Sequence, residues 1–263
     1  MELSKHTILL TGASGGIGLA LAEALNENGA KLVLTGRNKT ILDHANTSMG
    51  GHHHVCIADL ATKGGREAVI DAARRHNVSI IVHNAGSGDF SSLETQQEAT
   101  IERSIALNLT APVFLTQQLL PILKTRQQAA LVYIGSTFGS IGYPGYSVYC
   151  ATKFGLRGFT QSLRRELADT HIHIGYVAPR ATATAMNSDT VVAMNQALGN
   201  KMDSPDVVAS AVVKLLLDKR NEVYVGWPEK LFARLNALLP AVVDRALKKQ
   251  LPTVQRYLNK ESF

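Results

Sequence analysis

Short, nearly continuous apolar runs alternate along this chain with stretches of helical periodicity, and that alternation leaves few folds open. TILLTG (7–12), KLVLTG (31–36), HVCIAD (54–59), SIIVHNAG (79–86), ALVYIGS (130–136), IHIGYVAP (172–179) and EVYVG (222–226) read as strands. Between them GLALAEALNENG, REAVIDAARRHN, the 94–123 segment, VYCATKFGLRGFTQSLRRELADT and SPDVVASAVVKLLLDKR read as helices. Strands without polar alternation are buried on both faces, and strands that alternate with helices pair in parallel. The expectation is an α/β fold: a doubly wound parallel Rossmann-type sheet of about seven strands over residues 1–227, followed by a C-terminal helical extension over 228–263. A length of 263 residues, 45% of them apolar, suits one large core rather than two small ones.

Composition narrows the function classes. No run approaches the roughly 20 apolar residues that span a bilayer, and MELSKHTILLTG enters a strand pattern without a signal-peptide cleavage site. The expected location is cytoplasmic, or peripheral to a membrane. Cys56 and Cys150 cannot build a disulfide framework and lie in no metal-ligand spacing, so both read as free thiols. His52, His53 and His54 look like a metal tract but follow Met-Gly-Gly in a connecting segment without a carboxylate or cysteine nearby, and they read as a solvated loop. No metal site is expected. The formal charge of +6 is uneven: residues 228–263 carry seven Lys/Arg against three acids, a net of +4, and the other 227 residues only +2. Without a basic stripe interleaved with aromatics in the main domain, nucleic acid is not an expected partner.

The first strand runs into TGASGGIG, Thr11 to Gly18, where a helix begins. Glycines let the backbone turn tightly and approach a pyrophosphate, and a helix N-terminus offers N–H donors and a favourable dipole. The expected ligand is a dinucleotide, held by Gly12, Ser14, Gly16, Ile17 and Gly18. At the end of the second strand an acid would hold the ribose 2′-hydroxyl of NAD, and a cation the 2′-phosphate of NADP. Gly36 occupies the acidic place and Arg37 follows it, which favours NADP(H) over NAD(H). Asp59, in IADL, could accept from the adenine amino group or cap the next turn.

In YCATK, Tyr149 and Lys153 stand four residues apart, so a helix places them on one face. An ammonium beside a phenol favours the phenolate and is expected to lower the tyrosine pKa from about 10. Tyr146 has Cys150 at that distance and Tyr143 has Ser147, so neither offers the same pair. Taken alone, such a pair is a common helix-surface coincidence. Ser136 changes its meaning: it closes the fifth strand 13 residues earlier, where a loop can return the helix to the hydroxyl at the crevice of such a sheet.

TGASGGIG, HNAG (83–86), LNLTAP (107–112), Ser136 in IGST, YCATK and APRATAT (178–184) appear in an order that resembles the short-chain dehydrogenase/reductase family over residues 5 to about 226. TGASGGIG fits both the single-domain and the longer sugar-nucleotide spacing of that family; the length and HNAG match the single-domain branch. The resemblance implies that Tyr149 protonates a carbonyl oxygen, or deprotonates an alcohol in reverse, while Ser136 hydrogen-bonds the same oxygen. It implies that Lys153 binds the nicotinamide ribose and biases Tyr149, and that Asn108 holds a water linking Lys153 to solvent. Asn84, Ala85 and Gly86 would line the adenosine and ribose side, Thr184 would sit near the nicotinamide carboxamide, and Leu60 and Pro179 would complete the cofactor wall. Family members also form homodimers and homotetramers.

Two features depart from the family pattern. Arg180 follows Pro179 where a glycine is usual, and Gly15 stands where NADP users often carry a basic residue, so the cofactor preference rests mainly on Arg37. The extension is the second departure. Leu231, Leu235, Leu238, Val242 and Ala246 recur at helical spacing with cations opposite, and Pro240 and Pro252 are expected to break the run into short helices. It reads as a lid, a membrane-surface anchor or an oligomer contact. The expected function is NADPH-dependent reduction of a fairly hydrophobic, lipid-like ketone or aldehyde. An alcohol dehydrogenase running oxidatively is the alternative within enzymes, and a non-catalytic dinucleotide-sensing or scaffold protein the alternative outside them.

Overall fold

The computed structural model of the protein describes residues 1–227 and 229–261. Seven strands form one sheet: β1 (Thr7–Thr11), β2 (Lys31–Gly36), β3 (His54–Ile57), β4 (Ile80–His83), β5 (Ala129–Ile134), β6 (Ile172–Ala178) and β7 (Glu222–Tyr224). Their order is β3-β2-β1-β4-β5-β6-β7, and every pairing is parallel. The order reverses between β1 and β4, which opens a crevice beyond their carboxyl ends. β1, β2, β4 and β5 are buried almost throughout, because helices cover both faces.

On one face α1 (Gly16–Glu27), α2 (Lys39–Ser48) and α8 (Pro205–Asp218) bury Leu21, Leu25, Leu42, Val212 and Leu216 against Ile8, Leu10 and Leu34. On the other, α3 (Lys63–Arg75), α5 (Ala111–Leu123) and α6 (Ser147–Glu166) bury Val69, Leu115, Leu119 and Leu156 against Leu9, Ile81 and Leu131. Side chains alternate across each strand, so consecutive residues such as Ile8 and Leu9 serve opposite cores.

The stretch Glu98–Leu123 differs from the sequence expectation that nothing here could span a bilayer. α4 (Glu98–Ile105), a π-helical turn (Ala106–Thr110) and α5 run on as one 26-residue helical stretch, long and apolar enough to cross a membrane by length and composition. Ala111, Leu115, Leu119 and Leu123 of this stretch are buried in the core instead.

The histidine tract also departs from expectation. His53 is buried: its Nδ1 accepts from the Leu32 N–H at 3.3 Å and its Nε2 meets Asn26 Oδ1 at 3.1 Å. It joins α1 to β2 as a structural staple, and desolvation pushes its pKa down to about 4. His54 opens β3 and stacks on His76 with ring centres 3.5 Å apart.

Beyond β7 come α9 (Glu229–Leu238) and α10 (Pro240–Glu261). Pro240 starts a new helix, but Pro252 lies inside α10 without breaking it, contrary to the expected run of short helices. Pro252 is exposed, so the turn that loses a donor faces water. Val254 and Tyr257 hold the turns that follow by packing with Phe90, Val191 and Met194. Both helices lie over the carboxyl end of the sheet: Asn236 Nδ2 donates to the Ser140 carbonyl at 2.8 Å and Tyr143 OH to Gln250 Oε1 at 3.2 Å.

Candidate active site

One cleft of about 780 Å³ opens beyond the carboxyl ends of β1, β4, β5 and β6. Its first half is walled by Gly12, Ser14, Gly16, Ile17, Gly18, Arg37, Asp59, Leu60, Asn84, Ala85 and Gly86. The glycines are required by close approach. Gly12 has φ +67°, and a Cβ there would stand 2.7 Å from the Ala85 Cα; a Cβ on Gly18 would fall 2.0 Å from the Gly12 carbonyl oxygen. Asn84 fixes this loop by donating from Nδ2 to the carbonyls of Thr11 and Gly12, each at 3.1 Å. The first N–H groups of α1 therefore face an open cradle that fits a pyrophosphate.

At the far end of this half Arg37 is exposed on the lip. Gly36 places no carboxylate here, and a Cβ on it would meet Ser14 Oγ at 2.7 Å. Asp59 lines the cleft with both oxygens already engaged: Oδ1 accepts from the Ala61 N–H at 3.1 Å and Oδ2 from Arg103 Nη2 at 2.8 Å. Capping the turn is one of the two uses that the sequence suggested, and each oxygen keeps a further lone pair for a second donor.

Ser136, Tyr149 and Lys153 come together where the two halves of the cleft meet. Ser136 lies two residues beyond β5 and accepts from the Phe138 N–H at 3.1 Å, which holds its oxygen in place, and its hydroxyl is near enough to the Tyr149 phenol to favour the ionised form. Lys153 is buried and donates to the Ile134 carbonyl at 3.0 Å. The electrostatics overturn the expected direction for Tyr149. Desolvation raises its pKa to about 12, against the lowering effect of the nearby Ser136 hydroxyl. Burial likewise lowers Lys153 to about 8.

Asn108 sits in the π turn and is 1% exposed. It lies behind the cleft wall, where its Oδ1 accepts from the Ser87 N–H at 2.8 Å and its Nδ2 donates to the Ser87 carbonyl at 2.8 Å and to Thr152 Oγ1 at 3.2 Å. Thr184 rests on the glycine loop, since a Cβ on Gly16 would come within 2.9 Å of its Cγ2. Pro179 is buried at the end of β6 and lines the cleft.

The second half of the cleft was not legible in the sequence. Phe138, Ile141, Tyr143, Tyr146, Met186 and Met194 form one wall, and Trp227 with Phe232, Val243 and Leu247 of the extension closes over it. Arg180 does not point freely into this space: its Nε and Nη2 grip Asp203 Oδ2 and Oδ1 at 2.8 and 2.6 Å, and its Nη1 reaches the Trp227 carbonyl at 3.2 Å. Asp203 carries no local sequence signal, because its partner lies 23 residues away. Among the described residues no cluster of His, Cys, Asp and Glu is arranged to hold a metal ion.

Comparison with known proteins agrees with this arrangement. Residues 6–195 match the family described as short chain dehydrogenase. The ketoacyl reductase HetN of Nostoc sp. is 31% identical over 255 residues, spanning 92% of this chain and 88% of that protein. A short-chain dehydrogenase from Sphingobium yanoikuyae, solved with NADPH, superposes with a TM-score of 0.77 at 29% identity and covers 92% of this chain and 95% of that one. A short chain dehydrogenase/reductase from Burkholderia phymatum, solved with NAD, shares the fold at TM-score 0.82 and 19% identity, covering 90% of this chain and 94% of that one.

Proposed function

The chain belongs to the short chain dehydrogenase family and is an NAD(P)-dependent oxidoreductase; on that premise we propose that it uses NADPH to reduce a ketone carried on a long apolar chain, with 3-ketoacyl groups foremost. The observation that carries this reading is the position of the Tyr149–Ser136 pair, at the junction between a glycine-lined cradle and an apolar chamber. HetN, named a ketoacyl reductase, is similar over most of the chain and adds support for the substrate class.

When bound, the dinucleotide supplies the hydride. The protein's part is acid catalysis and placement. Tyr149 gives its phenolic proton to the substrate oxygen as the carbonyl becomes an alcohol, and Ser136 hydrogen-bonds that oxygen as negative charge develops on it. A phenol raised to about 12 keeps its proton at neutral pH, the form that acid catalysis of reduction requires. Lys153 holds the nicotinamide ribose as an ammonium. Asn108 acts through others: by tying Ser87 to Thr152, which neighbours Lys153 on α6, it fixes the floor beneath the reacting groups. Arg37 takes the 2′-phosphate, since Gly36 leaves that side free of a carboxylate.

Steady-state oxidation of NADPH by 3-ketoacyl thioesters of increasing chain length tests the assignment. The value of kcat/KM is expected to climb with chain length as the apolar chamber fills. Short polar ketones that perform as well as long ones would remove the substrate class. Oxidation of the corresponding alcohols that outpaces reduction at neutral pH would reverse the direction.

A further inference from the structure

The extension closes the cleft with one side and turns an unusual surface outward. On α9, Ala233 and Asn236 face the protein: Ala233 is buried and Asn236 bonds to the Ser140 carbonyl. Leu231 and Leu238 lie two helical turns apart and project from the opposite side, 50% and 80% exposed. A helix that only covered a core would place polar residues there. Trp227, Leu239 and Val242 extend the apolar surface and are 69%, 55% and 47% exposed. Lys230 and Arg234 flank the leucines on α9, and Arg245, Lys248 and Lys249 occupy the outer side of α10. None of these five cations forms a salt bridge among the described residues. From Lys230 to Asn259 the sequence holds six cations and one acid, Asp244.

We propose that this face docks the protein on an anionic lipid surface, with Trp227, Leu231, Leu238 and Leu239 entering the interfacial region and the surrounding cations meeting the headgroups. Apolar side chains ringed by Lys and Arg, with an amphipathic tryptophan among them, match the depth profile of a bilayer interface. A second copy of the chain fits worse. A two-fold contact sets the same patch against itself, so these five cations would face their copies with only Glu229 and Asp244 between residues 229 and 249 to offset them. Position adds a consequence. Trp227, Phe232 and Val243 line the cleft from the same segment, so docking holds the mouth of the cleft at the lipid surface. That consequence rests on the apolar-substrate reading; the docking itself does not.

Trp227 is the only tryptophan in the sequence, so the emission comes from this face and the cleft mouth beside it, and co-sedimentation separates the two. The full-length protein is titrated with phosphatidylcholine vesicles containing about 30% phosphatidylserine and with pure phosphatidylcholine vesicles, at low salt and at about 0.5 M NaCl, which screens charge over a few ångströms. The expected result is a shift of Trp227 emission to shorter wavelength and co-sedimentation with the anionic vesicles. Affinity should fall roughly tenfold or more in pure phosphatidylcholine and again at high salt. Leu231→Glu with Leu238→Glu should abolish sedimentation while circular dichroism and dinucleotide binding stay unchanged. If that variant does not fold, quenching of wild-type Trp227 by lipids brominated along their acyl chains decides the matter in its place.

Several results would overturn the proposal: absence of binding at low salt, binding that ignores lipid charge, or an equal spectral shift with heparin, which has no apolar phase. A concentration-dependent shift without vesicles, abolished by the same two substitutions, would assign the face to a second copy instead. Each of these readouts is independent of turnover, so a failure of the reductase assignment would leave this result standing.

Discussion

The Lys153 ammonium lies 5.6 Å from the centre of the Tyr149 ring and donates to the Ile134 carbonyl, so it faces the phenol across the ring rather than through a direct bond to its oxygen. Tyr149 touches the reacting carbonyl in the proposed chemistry, whereas Lys153 also meets the cofactor. Tyr149→Phe is therefore expected to lower kcat by about 10²–10⁴-fold, the usual worth of a positioned proton donor, with NADPH affinity nearly unchanged. Lys153→Met should reduce turnover and weaken NADPH binding together. Stopped-flow single turnovers and fluorescence titration of NADPH separate the two effects, and a Tyr149→Phe enzyme that turns over normally would disprove the proton path.

The pH profile follows from the same pair. In the free enzyme Lys153 loses its proton near pH 8, while Tyr149 keeps its own to about 12. Because kcat/KM reports groups of the free enzyme, reduction should stay level through neutral pH and fall as pH rises through about 8. Lys153→Arg, which stays charged, should move the falling limb to higher pH even if its overall rate is lower. A wild-type profile that rises between pH 7 and 9 would contradict both the charge role of Lys153 and the acid role of Tyr149.

What could be read from sequence and what could not divide along a physical line. The strands, the glycine turn and the Tyr149–Lys153 pair are set by spacings of a few residues, and local geometry translates those directly. Ser136 was within reach because a strand end and the next helix must meet at the crevice. Desolvation is not local. Charge proximity argued for a lowered Tyr149 pKa, but burial reversed the direction, and burial is known only once the fold is built. His53 changed from a solvated loop residue to a buried staple for the same reason. Pro252 would break an isolated helix, yet packing of Val254 and Tyr257 over Phe90 carries α10 past it. The apolar half of the cleft draws on residues from Phe138 to Leu247, a spread that no sequence window can contain.

In the proposed reading, cofactor choice turns on Arg37. It is exposed at the lip, and the residue before it, Gly36, carries no carboxylate. A single charge-assisted contact to a phosphate contributes about 1.5–3 kcal/mol. NADPH should therefore bind at least about tenfold tighter than NADH, and Arg37→Ala should remove most of that difference without weakening NADH. Asp59 makes the comparison sharper, because Arg103 rather than Arg37 neutralises its carboxylate by a direct ion pair. Equal wild-type affinities for the two dinucleotides, measured by isothermal titration, would return Arg37 to an ordinary surface charge.

Arg180 and Asp203 clasp the two ends of the segment that covers the apolar chamber. Their side chains are only 15% and 13% exposed, and the contact is a two-pronged fork. The clasp also reaches the extension through the Trp227 carbonyl, and it needs Gly226: that residue has φ +97°, and a Cβ on it would stand 2.6 Å from Arg180 Cδ. Asp203→Ala removes one partner of a mostly buried pair and should cost about 2–3 kcal/mol, or roughly 4–8 °C in Tm for a chain of this size. The loosened segment should then raise KM for long-chain ketones several-fold while kcat changes little, because neither residue touches Tyr149 or Ser136. Asp203→Glu, which retains the charge, should recover part of the affinity, and Gly226→Ala should reproduce the KM effect with both charges intact. Thermal melts alongside kinetics at two chain lengths distinguish the outcomes: a fall in Tm with unchanged KM would make the clasp a stability element only, with no part in holding substrate.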